Sequence, residues 1–241
     1  MNKYVVRWTI LVIGLIGTMA LFFMFKNKNA RQVCQDFEVK YADSQVPMIS
    51  KAEIQMFLEN DTIRFIGDRI SAIDLSKIET SLNKIEYIQN ADCYFNMSGV
   101  LFMDIEQKTA LLRVIPTHGK SYYLDQQGHH FPLSTRHTAD VLVATGYITP
   151  VLDNKLYTFT RYVNQSTFWN SFIEQIFVKP NGDIIFTTQI GGHEVVVGDN
   201  CRLKQKLQKL KQFYQRASAN QGWEEYREIN LKYKDQVICK K

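Results

Sequence analysis

From Trp8 to Phe25 the chain reads WTILVIGLIGTMALFFMF with no charged residue, a run of about eighteen positions, the short end of what a helix needs to cross a bilayer. Lys3 and Arg7 stand before the run, and Lys26, Lys28 and Arg31 after it. Trp8 and the Phe22-Phe23 pair lie near its ends, where aromatic rings suit the membrane interface. A cleaved signal peptide would have a shorter apolar core and small residues at its end, whereas Phe25 and Lys26 stand there. The pattern predicts a short cytoplasmic tail over 1–7, an uncleaved transmembrane helix over 8–25 and a linker over 26–32. The basic flanks are nearly balanced. Long domains translocate largely regardless of charge, so a translocated C-terminal domain is expected.

The pattern then changes to short amphipathic stretches. Phe37, Val39 and Tyr41 alternate within Val33 to Tyr41, which predicts a strand. Ser50-Lys-Ala-Glu53 is a capping-box pattern ahead of Ile54, Phe57 and Leu58 at helical spacing, with Asn60-Asp61 to end that helix. Ser76-Lys-Ile-Glu79 is a second capping box, or Asp74 caps slightly earlier, and Leu75, Ile78, Leu82 and Ile85 form one helical stripe. Ala91, Cys93 and Phe95 alternate, Ser98-Gly99 turns the chain, and Leu101, Met103 and Ile105 alternate again. The expected unit over 33–108 is strand, helix, helix, strand, strand, with two helices on one face of a small sheet.

From Thr109 strands dominate, and a second domain over 109–241 is expected. Candidates are Leu111 to Ile115, Tyr122 to Leu124, Val141 to Ala144, Ile176 to Val178, Ile184 to Thr188 and Glu194 to Val197. Asp125-Gln-Gln-Gly128 and Lys179-Pro-Asn-Gly-Asp183 are turn signals, the second a hairpin signal. Two helices interrupt the strands. Thr167 to Ile173 would turn Phe168, Trp169 and Phe172 inward. Arg202 to Ala217 carries Leu203, Leu207, Leu210, Tyr214 and Ala217 on one stripe, with Asp199 or Asn200 as its cap and Lys204, Lys206, Lys209, Lys211 and Arg216 elsewhere. Over Glu228 to Cys239, Ile229, Leu231 and Tyr233 alternate, and Val237 and Cys239 follow a break at Asp235-Gln236. The fold class read from this is α+β: an N-terminal transmembrane helix, a βααββ unit, then a β-rich domain with helices packed on an antiparallel sheet.

Composition changes this picture little. Of 241 residues, 45% are apolar and 22% charged, so wholesale disorder is excluded. A net charge of +5 falls short of a nucleic-acid footprint, and no aromatic-and-basic RNA motif occurs. Cys34, Cys93, Cys201 and Cys239 are far apart with no CxxC, which argues against zinc or thioredoxin-like chemistry. They read as unpaired residues, mostly in the core. Neither H-E-x-x-H, G-x-S-x-G, a Walker A loop nor G-x-G-x-x-G is present. His129-His130 after Asp125 reads as a polar turn tip rather than a metal site. The lysines of the Arg202 helix read as a solvated face, with anionic lipid or cell-wall polymer as the rival. A glycosidase pair of carboxylates is not singled out. No enzyme, cofactor or metal is expected.

The βααββ order resembles a POTRA domain. Such a unit directly after an N-terminal anchor and before a β-rich domain resembles the FtsQ/DivIB family of bacterial cell-division proteins. Leu124-Asp125-Gln126-Gln127-Gly128-His129-His130-Phe131 is similar to the family's aromatic-acidic stretch. Val195-Val196-Val197-Gly198 leading to Arg202-Leu203 is similar to its strand and long helix. Asn230-Leu231-Lys232-Tyr233 resembles its closing strand. Many members carry Gly and Trp after that strand, where this sequence has Cys239-Lys240-Lys241. The resemblance implies a divisome scaffold in the bacterial inner membrane, single-pass type II and concentrated at the septum. It implies partners of the FtsB/FtsL type, bitopic division proteins, and a part in regulating septal peptidoglycan synthesis. The POTRA-like unit would serve recruitment and contact other divisome proteins.

Strand addition at an exposed final strand would supply main-chain bonds and side-chain selectivity. The residues expected there are Lys232, Tyr233, Lys234 and Val237, with Tyr233 as the aromatic anchor and Lys232 facing an acidic partner residue. Two other readings stay open: a POTRA-containing component of envelope assembly or secretion, and a membrane-anchored cell-wall hydrolase. No series of about ten-residue alternating strands follows, as a membrane barrel requires.

Overall fold

The computed structural model describes Trp8, residues 13–19, 32–42, 46–219, 225–234 and 236–241. Residues 13–19 are helical. The remainder of the transmembrane stretch expected over 8–25, together with residues 1–7 and 26–31, lies outside the described residues. Among those described, no helix is long and apolar enough to cross a membrane. The chain forms two compact units, Met1–Gln107 and Lys108–Lys241.

The first unit has the expected order: β1 (Phe37–Tyr41), α1 (Lys51–Asn60), α2 (Leu75–Leu82), β2 (Ile88–Phe95) and β3 (Leu101–Gln107), with a single 3-10 turn at Ile70–Ala72 before α2. The sheet order is β1-β3-β2, with β1 parallel and β2 antiparallel to β3. Both capping signals resolve into geometry. Ser50 and Glu53 form the full capping box on α1. On α2 the cap is Asp74, which accepts from the Lys77 N–H, so the Ser76–Glu79 box does not form. Glu79 instead accepts from the Cys93 N–H at 2.8 Å, tying α2 to β2. Ile54, Leu58, Ile78 and Leu82 close over Phe37, Cys93, Leu101, Met103 and Ile105. Each such fully buried side chain contributes about 1.5–3 kcal/mol relative to leaving it in water.

The second unit is built on β4 (Ala110–Pro116), β5 (Tyr122–Asp125), β6 (His130–Pro132), β7 (Leu142–Gly146), β8 (Ile173–Val178), β9 (Ile184–Thr188), β10 (Glu194–Gly198), β11 (Glu228–Asn230) and β12 (Ile238–Lys240). Among the described residues these form one sheet of order β12-β11-β10-β9-β8-β7-β4-β5-β6. The sheet is mixed, which corrects the antiparallel expectation: β4 runs parallel to β7, β7 to β8 and β10 to β11. Parallel neighbours need crossovers, and two of these are helical. The β7–β8 crossover holds α3 (Pro150–Asn164) and α4 (Thr167–Phe172); the β10–β11 crossover holds α5 (Leu203–Ala219).

Helix α3 is absent from the sequence reading, although Pro150 stands in its first turn and Leu156, Phe159 and Val163 are buried at helical spacing. These side chains, with Trp169, Phe172, Leu203, Leu207 and Leu210, pack on Leu112, Val114, Ala144, Ile176, Phe186, Val195, Val197 and Ile229. Phe168 does not turn inward as expected. It is 39% exposed, and Lys211 Nζ lies 4.9 Å from its ring centroid. The side chain of Ala217 lies outside the described residues.

Both turn signals appear as tight turns. Asp125 Oδ1 accepts from the N–H groups of Gln127 and His129 at 2.9 and 2.8 Å. The Lys179 N–H donates to the Asp183 carbonyl at 3.0 Å across the β8–β9 hairpin.

Candidate partner-binding edge

β12 is an outer strand of the sheet, paired with β11 in the register Glu228↔Lys240, Ile229↔Cys239 and Asn230↔Ile238. The strands β11 and β12 pair antiparallel, as a hairpin. Its two strands are short, and the residues singled out from the sequence lie in the connection between them. Lys232, Tyr233 and Lys234 are exposed, Tyr233 at 54%. Val237 is half-buried and packs against the core. Asp235 lies outside the described residues. The strand residues Ile238, Cys239 and Lys240 were not singled out as site residues, although an alternating run is visible around them. Ile238 is 37% exposed.

Lysines fix the shape of this connection. Leu231 is fully buried, and its N–H donates to the Val196 carbonyl at 2.9 Å, so the chain leaves β11 pinned to β10. Lys209 Nζ donates to the carbonyls of Tyr233 and Lys234, each at 2.8 Å. Lys232 Nζ lies 2.8 Å from Asp183 Oδ2. Hydrogen bonding and the charge of Asp183 raise the Lys232 pKa. For Asp183, burial pushes the carboxyl up, but its bonds to Lys232 and Asn181 outweigh this and the net direction is down.

Gly198 makes room for the Lys232 stem. Its φ is +76°, and a Cβ there would stand 2.8 Å from Lys232 Cγ.

Lys206, grouped from the sequence with the solvated lysines of α5, is only 5% exposed. Its Nζ donates to the carbonyls of Val197 and Asp199 at 2.9 Å each and to Asp199 Oδ1 at 2.7 Å. Three donors meet three acceptors, which is what a buried ammonium requires. Asp199, one of the two caps expected for α5, spends its carboxylate here. The signal available in the sequence was position: Lys206 falls on the same helical face as Leu203, Leu207 and Leu210.

Between α5 and the connection lies a depression of about 10 Å³, lined by Arg202, Gln205, Lys206, Lys209, Leu231, Lys232, Tyr233 and Lys234. That is the size of a single water, so the region offers a surface rather than a ligand cavity.

The histidines are placed individually. His130 Nε2 pairs with Asp153 Oδ2 at 2.7 Å, its ring stacked 4.3 Å from Tyr122, whose hydroxyl donates to the other Asp153 oxygen. His129 Nδ1 stands 3.5 Å from Asp125 Oδ2. His193 is buried, with Nδ1 2.8 Å from the Tyr214 hydroxyl. Among the described residues no group of three His, Cys, Asp or Glu side chains is placed to hold a metal ion.

Comparison with known families agrees with this geometry. The family described as FtsQ/DivIB, C-terminal related, matches residues 109–240, the stretch that builds the whole sheet from β4 to β12. The chain belongs to the FtsQ/DivIB-related family. A POTRA-like domain matches residues 32–106, covering the βααββ unit. No curated protein gives a significant match to the chain. FtsQ/DivIB domains are those of a cell-division scaffold that works through protein–protein contacts at the septum.

Proposed function

We propose that the protein is an inner-membrane divisome scaffold, anchored by residues 8–25, whose β12 edge receives a strand from a bitopic partner of the FtsB/FtsL kind. Main-chain groups of β12 supply the generic affinity of strand addition. Tyr233, exposed beside that edge, is the aromatic anchor, with Lys232, Lys234 and Val237 around it. The observation that carries this reading is the family match over 109–240 ending on an open, outer strand. Through such partners the protein would help regulate septal peptidoglycan synthesis, and its POTRA-like unit would recruit it to the division site. It acts by binding rather than by catalysis.

The test is photocross-linking from a probe at position 233 in dividing cells, together with microscopy of cells depleted of the protein. Capture of a small bitopic coiled-coil protein, and filaments with unfinished septa on depletion, are expected. Capture only from probes on the POTRA-like unit would sink the role of the edge. Cells of normal length with leaky envelopes would favour envelope assembly or secretion and end the divisome reading.

A further inference from the structure

The face of the first unit's sheet turned away from α1 and α2 carries a charge pattern that the fold does not balance. Strand alternation and register set it out in rows: Glu38, Phe102 and Tyr94, then Lys40, Asp104 and Asp92, then Glu106 and Asn90. Asp92 and Asp104 stand directly opposite one another, a like-charge pairing that weakens a sheet. Asp104 Oδ1 is buried without a hydrogen-bond partner among the described residues. Lys40 does not answer it: its Nζ lies 4.3 Å from the centroid of the Phe102 ring. Asn90 Nδ2 donates to Asp92 at 3.2 Å. Beside the carboxylates, Tyr94 and Phe102 stack with centroids 5.5 Å apart, and Tyr94 is 41% exposed.

We propose that this face docks a basic segment of a partner protein, laying an arginine over Tyr94 with its N–H fork on Asp92 and Asp104. The inference rests on reading the first unit as a recruitment module. Charge selects the occupant, since among the described residues of these three strands the carboxylates at positions 38, 92, 104 and 106 share this face with one ammonium, that of Lys40. Asp92 is exposed and Asp104 half-buried, and a charged donor bonds such carboxylates more strongly than a neutral one. The aromatic pair selects further. A guanidinium lies flat on a ring while its planar edge donates in a fixed fork to two carboxylates, a geometry an ammonium lacks. Lys40 over Phe102 already shows a cation seated on this aromatic surface. A divalent ion is the poorer occupant, because no group of three ligating side chains is placed to hold a metal among the described residues.

The experiment titrates the purified full chain in detergent with a fluorescein-labelled Gly-Arg-Gly-Arg-Gly peptide and its lysine and glutamate counterparts, read by anisotropy. Arginine is expected to bind tightest and glutamate not at all. The D92N and D104N variants should each weaken arginine binding about tenfold, and Y94L should abolish the preference for arginine over lysine. D92N changes an exposed side chain, so it reports even if D104N misfolds. Unchanged affinity in D92N and Y94L would overturn the proposal. So would displacement of the peptide by millimolar magnesium but not by sodium of equal ionic strength, which would mark a metal site. In cells, D92N/D104N should lose septal localisation. Lost peptide binding with septal localisation intact would keep the docking face and defeat the recruitment reading instead.

Discussion

Lys232 Nζ and Asp183 Oδ2, 2.8 Å apart, join the connection beyond β11 to the β8–β9 hairpin. The residues are 49 positions apart in sequence, and on the proposed edge the pair sets the charge that a partner would meet. Lys232 was expected to offer a free charge to an acidic partner residue. It is already engaged, so such a residue must compete with Asp183. The D183N variant is therefore expected to lower stability only modestly, by about 0.5–1 kcal/mol, for a pair in which Lys232 is half-exposed and Asp183 largely covered. Association rate with an acidic partner should rise instead. Urea unfolding and stopped-flow binding measure the two effects.

The same pair sets an acid limb of stability. The Asp183 pKa is lowered in the folded chain, so the folded state binds this proton less tightly than the unfolded state. The contribution is present above the ordinary carboxyl value of 3.8 and fades as pH falls through the lower folded value. Urea midpoints measured from pH 6 to pH 2 should fall less steeply in D183N than in the wild type.

Lys206→Met and Lys204→Met separate a structural lysine from a solvated one. Removing Lys206 strands the buried Val197 carbonyl and takes a charged donor from the Asp199 carbonyl and carboxylate, at a cost of about 1–3 kcal/mol. Lys204 is exposed, and its replacement should stay within about 0.5 kcal/mol. Equal urea midpoints for the two variants would contradict the geometry.

The thiols should sort by burial. Desolvation pushes Cys93 up to about 12, with Glu79 and Asp92 adding to it, and burial also raises Cys34 and Cys239. Cys201 is exposed. At pH 8 one thiol should react rapidly with a disulfide reagent, Cys239 more slowly, and Cys34 and Cys93 only on unfolding. The C201S variant should lose the fast phase.

At alkaline pH, Tyr122 and Tyr214 should resist ionisation. Burial raises both, Tyr214 to about 12, and the Asp153 carboxylate raises Tyr122 further. Because folded values exceed the unfolded 10.0, this stability is complete below pH 10 and is lost as pH rises through the folded values. Tyr122→Phe should flatten that alkaline loss while costing about 1 kcal/mol at neutral pH.

The first unit was legible because its signals are local. Ser50 and Glu53 are three residues apart, and Ile78 and Leu82 follow one helical stripe. The second unit hid what depends on distance in sequence. The strands β7 and β8 could be found by their apolar runs, but their parallel pairing is visible only once α3 is placed between them. That helix begins at Pro150, directly after Thr149, and carries Tyr157, Thr158, Thr160 and Tyr162, residues that favour strands and blur its stripe. The roles of Lys206, Lys209 and Asp153 depend on partners brought together by tertiary packing, which periodicity does not encode. The edge position of the final hairpin was readable; the displacement of Tyr233 from strand into bend was not.

The outer strands bear on solubility. A wide sheet with long, flat rims invites copies of itself to stack edge to edge and grow into fibrils. Here β12 and β6 are three residues each. The first ends in Lys240, and the second carries Pro132, which has no N–H to offer a neighbour. Such rims template only a brief match, too little for runaway polymerisation.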